Sequence, residues 1–162
     1  MHTLNKSIEL AEAKPANAPE ILKLQRATYM REAERYKNWS IAPLVETRDE
    51  FVKALETNHI IVARIGSTIA GSIRAREEKN VCHIGRLFVT EEFQGRGIGS
   101  ALVQTIEDRF SHVERFSLFT GHLSDENIRL YRMLGYEVIG ERVAKDHLKL
   151  VVMEKLNSIS SI

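Results

Sequence analysis

Three glycines at alternate positions, Gly95, Gly97 and Gly99, lie within Arg86–Ser100 (RLFVTEEFQGRGIGS), between a β-rich run ending near Val89 and a stretch with helical apolar spacing. Glycine lets a backbone turn tightly and come close to a ligand. A helix start adds free N–H groups and the positive end of the helix dipole, which together favour phosphate. The segment Gln94, Gly95, Arg96, Gly97, Ile98, Gly99, Ser100 therefore reads as a pyrophosphate cradle, with Arg96 as a side-chain partner. A P-loop would need GxxxxGK followed by Ser or Thr, and no lysine follows these glycines. A Rossmann fingerprint would need GxGxxG, but counted from Gly95 its last position is Ser100. Both are poor fits.

The elements that must position this cradle follow from periodicity. Ser7 to Ala13 alternates apolar with polar and predicts a strand that Pro15 interrupts. Asn17 can cap a helix with Pro19 in its first turn, and the stripe Ile21, Leu22, Leu24, Ala27, Thr28, Tyr29 carries it to about Arg35. Tyr36 to Glu46 has no periodicity and reads as an ordered loop, whereas Thr47 and Glu50 form a capping box ahead of a short second helix. His59–Ile65, Thr68–Arg76 and Val81–Thr90 predict three antiparallel strands joined by short turns. A helix from Gly97 to Phe110, a strand at Arg115–Thr120, a helix ending at Gly135 and a hairpin of Tyr136–Val143 with His147–Leu156 complete the order. The expected class is α/β or α+β, a mixed sheet covered by helices.

Composition narrows the function. With 162 residues, 43% of them apolar, the chain has the size of one domain, so residues 1–162 are expected to form one. Its 23 Lys plus Arg against 22 Asp plus Glu give a net charge of +1, with no general field for nucleic acid or an anionic membrane. The N-terminus lacks the apolar run of a secretory signal, and no stretch approaches a membrane span. Cys82 is the only cysteine, so no intramolecular disulfide or zinc knuckle can form, and a reducing cytoplasmic setting is expected.

Gln94-Gly95-Arg96-Gly97-Ile98-Gly99 resembles the Q/R-x-x-G-x-G/A motif of the GNAT N-acetyltransferase superfamily, whose members bind acetyl-CoA there. The preceding IGRLFV is similar to that family's fourth strand, and Asn127-Ile-Arg-Leu-Tyr131-Arg-Met-Leu-Gly135-Tyr136 is similar to its LYxxxGF/Y signature. The resemblance extends over nearly the whole chain in element order. It implies a mostly antiparallel central sheet of about seven strands flanked by about four helices and splayed between strands four and five. It also implies a transferase that uses acetyl-CoA as co-substrate, needs no metal, and passes the acetyl group directly to a primary amine of a small molecule, peptide or protein.

Residue roles follow from the same resemblance. Leu87, Phe88 and Val89 would lend backbone groups to the pantetheine arm, with the amide near Val89 as oxyanion donor, and Gln94 to Ser100 would hold the phosphates. Tyr131 matches the tyrosine that protonates the departing thiolate. The family's asparagine eleven residues before the signature glycine is Ser124 here, and Asn127 follows three residues later, so either is a candidate CoA contact. Many relatives carry a glutamate base just after the position of Ile84, where this chain has Gly85. His83, on the same face as Gly85 in an extended strand, and His122, just past strand five, are the candidate bases, because imidazole titrates near neutrality. The acceptor would lie between the first helices and the sheet, near Tyr29, Glu32, Tyr36, Trp39 and Gly85, and the family often forms homodimers. The missing glutamate leaves open a non-catalytic CoA-binding regulatory module, and the same glycines leave open a nucleotide-binding protein.

Overall fold

The computed structural model describes residues 7–158. Strand β1 (Ile8–Glu12) leads through a 3-10 turn at Pro15–Asn17 into helix α1 (Ala18–Tyr36). Asn17 stands at the N-cap, but its carboxamide oxygen accepts Lys14 N–H at 2.8 Å instead of capping the helix. The helix stops at Lys37, which adopts φ 50°. The stretch read as loop contains one helical turn, α2 (Ala42–Val45), and then α3 (Arg48–Ala54) begins with the expected capping box between Thr47 and Glu50.

Strands β2 (His59–Ile65), β3 (Thr68–Glu78) and β4 (Val81–Val89) form the meander. A 3-10 turn at Glu91–Phe93 precedes α4 (Ile98–Arg109), β5 (Arg115–Gly121), α5 (Asp125–Met133), β6 (Glu137–Val143) and β7 (Lys149–Leu156). The sheet order is β1-β2-β3-β4-β5-β7-β6, and every neighbouring pair is antiparallel except β4 and β5. That parallel pair is the consequence of α4, whose crossover returns the chain in the same direction.

Helices cover both faces. On one, Ile98, Leu102 and Ile106 of α4 are no more than 1% exposed and pack with Ile61, Ile73, Ile84, Phe116, Met153 and Tyr131. Burying each such aliphatic side chain is worth about 1.5–3 kcal/mol, which fixes the first turn of α4 against the sheet. On the other face, Ile21 and Leu22 of α1 and Phe51 of α3 pack with Ile60, Val62, Ile69 and Phe88.

Strand β4 changes allegiance along its length. Ser72 pairs with Phe88 and Arg74 with Gly85, so one residue of β3 faces two of β4, and Arg86 in this bulge has φ 50°. A one-residue insertion reverses which face each later side chain serves. Ile84 accordingly joins the α4 core while Phe88, also an even position, joins the α1 core. Beyond the bulge β4 also loses its other neighbour, since β5 pairs with it only from Val81–Arg115 to Ile84–Leu118. This is the splay expected from the sequence.

Candidate active site

A cleft of about 610 Å³ opens at the splay. Its walls are Tyr29, Glu32 and Arg35 of α1, Leu87, Phe88 and Val89 of β4, Gln94, Gly95 and Gly97 of the loop, Ile98, Gly99 and Ser100 of α4, and Asn127 and Leu130 of α5. Most of the residues expected to bind a cofactor therefore meet in one place.

The loop reaches this place through backbone geometry that favours glycine. Gly95 and Gly97 have φ 79° and 81°, in the left-handed region. Ala101 N–H closes the first turn of α4 on Gly97 C=O at 3.0 Å, which leaves the N–H groups of Ile98, Gly99 and Ser100 without intrahelical acceptors. Gly99 permits close approach of α5, because a Cβ there would stand 3.3 Å from Leu130 Cδ2. Gln94 works through its side chain as well, donating from Nε2 to Val89 C=O at 3.0 Å and tying the loop to the strand end. Arg96 is not part of the cleft wall; its guanidinium lies 5.3 Å from the centre of the Phe93 ring.

Strand β4 presents backbone groups to the cleft. Thr90 N–H reaches Ala70 C=O on β3 at 2.8 Å, and alternation along a strand then turns the polar groups of Val89 and Leu87 to the other edge, where β5 has left. Leu87 C=O there accepts the Tyr29 hydroxyl at 2.8 Å. Burial pushes the Tyr29 phenol up to about 12, with Arg86 pulling it down and Glu32 pushing it up.

The two candidate CoA contacts on α5 separate. Asn127 lines the cleft and points Nδ2 to Thr120 Oγ1 at 3.4 Å. Ser124 is 2% exposed and belongs to an anchor: its Oγ lies 2.7 Å from the Tyr36 hydroxyl and donates to Glu32 Oε2 at 3.2 Å. Leu123 N–H donates to the same Tyr36 oxygen at 2.8 Å, and Arg35 Nη1 stands 3.5 Å from Glu32 Oε2. The Tyr36 proton thus points to Ser124 and the Ser124 proton to Glu32, a relay that ends on a carboxylate in the cleft wall.

Neither histidine lines the cleft. His83 sits in the fully paired part of β4, opposite Arg76 and Ser117, where burial and then Arg76 lower its pKa. His122 directs Nδ1 to Lys149 C=O at 3.1 Å, with its ring 5.7 Å from that of Tyr36. Two residues of spacing put His83 on the face of Gly85, but the splay begins only after it. Trp39 is 53% exposed on a loop that Asn38 and Ala42 fasten to Asp146 of the β6–β7 turn, outside the cleft wall. Gly85 is not among the residues that line the cleft, and a Cβ there would meet nothing within 4 Å.

Tyr131 is 6% exposed, packed edge-on against Tyr136 with ring centres 6.0 Å apart. Burial, with a smaller contribution from Tyr29, raises its pKa far above that of a free phenol, so it stays protonated. Among the described residues its hydroxyl has no hydrogen-bond partner. It does not line the cleft directly and stands one residue beyond Leu130, which does.

Sequence reasoning missed a buried ionic cluster beside the bulge. Glu46, 5% exposed, receives Arg74 Nη1 and Nη2 at 2.9 and 3.0 Å and Gln25 Nε2 at 2.9 Å. Burial alone would raise the Glu46 carboxyl, but hydrogen bonds from Arg74 and Gln25 and the charges of Arg74 and Arg86 outweigh it and hold it below its ordinary value. No short motif announces such a cluster, because its members are 28 residues and more apart between Glu46 and the two arginines.

A model of the acetyltransferase (GNAT) domain matches residues 26–157. Among solved structures, PaiA N-acetyltransferase from Thermoplasma acidophilum in complex with coenzyme A superimposes with TM-score 0.76 at 17% identity, covering 93% of this chain and 99% of that one. The ribosomal-protein-S18-alanine N-acetyltransferase from Escherichia coli gives 0.74 at 14% identity, covering 94% and 95%. A spermidine N-acetyltransferase chimera from Vibrio cholerae gives 0.71 at 14% identity, covering 94% and 96%. No curated protein sequence matches the chain.

Proposed function

This chain belongs to the GNAT acetyltransferase family, and from that premise we propose that it transfers an acetyl group directly from acetyl-CoA to the primary amine of a small molecule or peptide. The observation that carries this reading is the continuity of one cleft from the free N–H groups of α4 to the backbone of Val89 at the splay.

The co-substrate supplies an acetyl group already activated as a thioester. The N–H groups of Ile98, Gly99 and Ser100 and the α4 dipole suit its diphosphate. Asn127 and the free edge of Leu87 to Val89 suit its amide-bearing arm. The Val89 N–H faces the open edge and is the donor for oxygen charge that builds during transfer. Glu32, backed by Ser124 and Tyr36, replaces the two histidines as acceptor of the amine's proton, directly or through water. Tyr131, kept protonated by burial, is the donor toward the sulfur.

We place the protein in the cytoplasm as a partner of small amines, in line with its lone Cys82, which is buried with its thiol pushed up to about 12. Among the described residues no helix is long and apolar enough to cross a membrane. A homodimer would have a ready surface in the outer strand β6, where Val138, Ile139 and Val143 are exposed.

Calorimetric titration with CoA and acetyl-CoA, followed by thiol release across amines, tests the proposal. Binding and amine-dependent release support it. Binding without release for any amine indicates a regulatory CoA-binding module, and preferential ATP binding indicates a nucleotide site.

A further inference from the structure

The charged side chains that line the cleft are Arg31, Glu32 and Arg35 of α1, Glu91 of the 3-10 turn after β4, and Glu126 of α5. Of the two cations, Arg35 is committed: its Nη1 donates to Leu123 C=O at 3.3 Å and stands 3.5 Å from Glu32 Oε2. Arg31 is not. Among the described residues its one polar side-chain contact is Nη2 to Glu91 Oε1 at 3.9 Å, with the two side chains 55% and 87% exposed. An ion pair of that length and exposure adds little stability, so its partners are readily exchanged.

This pair crosses the cleft, joining α1 to the connection between β4 and α4, and no other ion pair among the described residues links two of the cleft's walls. Its far end is tied to the cradle. Glu91 C=O accepts Gln94 N–H at 3.3 Å, Gln94 holds Val89 C=O at 3.0 Å, and Gly95, Gly97 and the first turn of α4 follow in the same cleft. The Arg31 guanidinium therefore stands at the loop whose free N–H groups suit a diphosphate. Arg96, the cation expected there from the sequence, lies beside Phe93 outside the wall.

We propose that Arg31 is a phosphate-binding residue restrained by Glu91: the pair bridges the cleft of the free protein, and on binding Arg31 leaves the Glu91 carboxylate for the diphosphate of the co-substrate. A guanidinium can fork onto two phosphate oxygens at hydrogen-bond distance, a better arrangement than one carboxylate oxygen 3.9 Å away. Glu91 is then an internal competitor that keeps the cleft bridged until an anion arrives. This inference rests on the acetyltransferase reading and adds to it a side chain from α1 and a built-in rival for that side chain.

CoA and dephospho-CoA, which keeps the diphosphate but lacks the ribose phosphate, are titrated calorimetrically into the parent and its variants at low and high salt. Arg31→Gln should weaken both ligands by about tenfold, the worth of one charge-assisted contact, and should flatten the fall of affinity with salt. Arg31→Lys should recover part of the loss. Glu91→Gln should tighten both ligands by about two- to fivefold, because it releases Arg31 from a weak surface pair, and the same change made in Arg31→Gln should gain nothing. Thermal melts identify any variant that fails to fold, and Arg31→Ala then takes the place of Arg31→Gln. Parent-like affinity without the arginine overturns the proposal. A loss confined to CoA moves the contact to the ribose phosphate and overturns the diphosphate assignment. A gain from Glu91→Gln that persists in the double variant shows that Glu91 merely repels the ligand, and overturns the exchange. Each of these outcomes leaves the acetyltransferase reading standing, whereas a parent that binds neither ligand overturns that reading and this inference together.

Discussion

The hydroxyl of Tyr36 occupies the space into which any side chain at Gly121 would point. That oxygen also holds Leu123 N–H and Ser124 Oγ, and with the Ser124–Glu32 and Arg35–Leu123 hydrogen bonds it fastens the end of α1 to the turn between β5 and α5. Gly121→Ala should cost about 1–3 kcal/mol, as overpacking typically does, and should lower acetyl transfer because Glu32 loses its ordered Ser124. Gly140→Ala, where a Cβ meets nothing within 4 Å, is the control and should be close to neutral. Urea melts of both variants check the contrast.

The two glycines of the cradle should fail for different reasons. Gly97 has free space but φ 81°, so Gly97→Val strains the backbone, at a cost of about 1–3 kcal/mol. Gly99→Val instead drives Leu130 away and separates α4 from α5. Each should weaken CoA binding by about tenfold or more in calorimetry. Affinity equal to the parent's in both would refute the cradle.

Tyr131→Phe removes one hydroxyl and keeps the ring against Tyr136. Loss of a general acid lowers a rate by about 10²–10⁴, and the drop should fall on kcat with KM for acetyl-CoA little changed. Tyr29→Phe should lose only its hydrogen bond to Leu87, about 0.5–1.5 kcal/mol of stability. If the two variants exchange these phenotypes, the proton donor is Tyr29, the tyrosine that lines the cleft.

Glu46 sets part of the acid limit of the fold. Its folded carboxyl is held below the ordinary value, so its contribution to stability is complete above the ordinary carboxylate range and is lost as pH falls through the lowered folded value. Glu46→Gln leaves Arg74 buried without its counter-charge and should cost about 3–5 kcal/mol at neutral pH. The gap between parent and variant should shrink in urea melts as the buffer is made acidic. A gap independent of pH would show that Glu46 acts by packing alone.

Wherever one stretch of chain makes both ends of a feature, the sequence declares it. The glycine loop, the Thr47–Glu50 capping box and the Ile98–Leu102–Ile106 stripe are local, and the structure contains all three. The Glu46–Arg74–Arg86 cluster and the Tyr36–Ser124–Glu32 relay join residues distant in sequence, and neither has a periodic signature. The bulge explains the histidine expectation: counting by twos from Gly85 finds His83 correctly on its face, but the face belongs to the cleft only beyond Arg86. Asn127 and Ser124 were indistinguishable until the fold sent one to the cleft and the other to α1.

Deleting the one surplus residue of β4 at Arg86 would make a better sheet and a worse protein. The β3–β4 ladder could then run in uninterrupted register, with no left-handed residue to strain it. Leu87 and Val89 would exchange faces with Phe88, the α1 and α4 cores would each receive side chains of the wrong size, and β5 would have a straight neighbour to follow to its end. Backbone regularity and an open edge are therefore alternatives in this fold, and the chain is held to the second by a single amino acid of extra length.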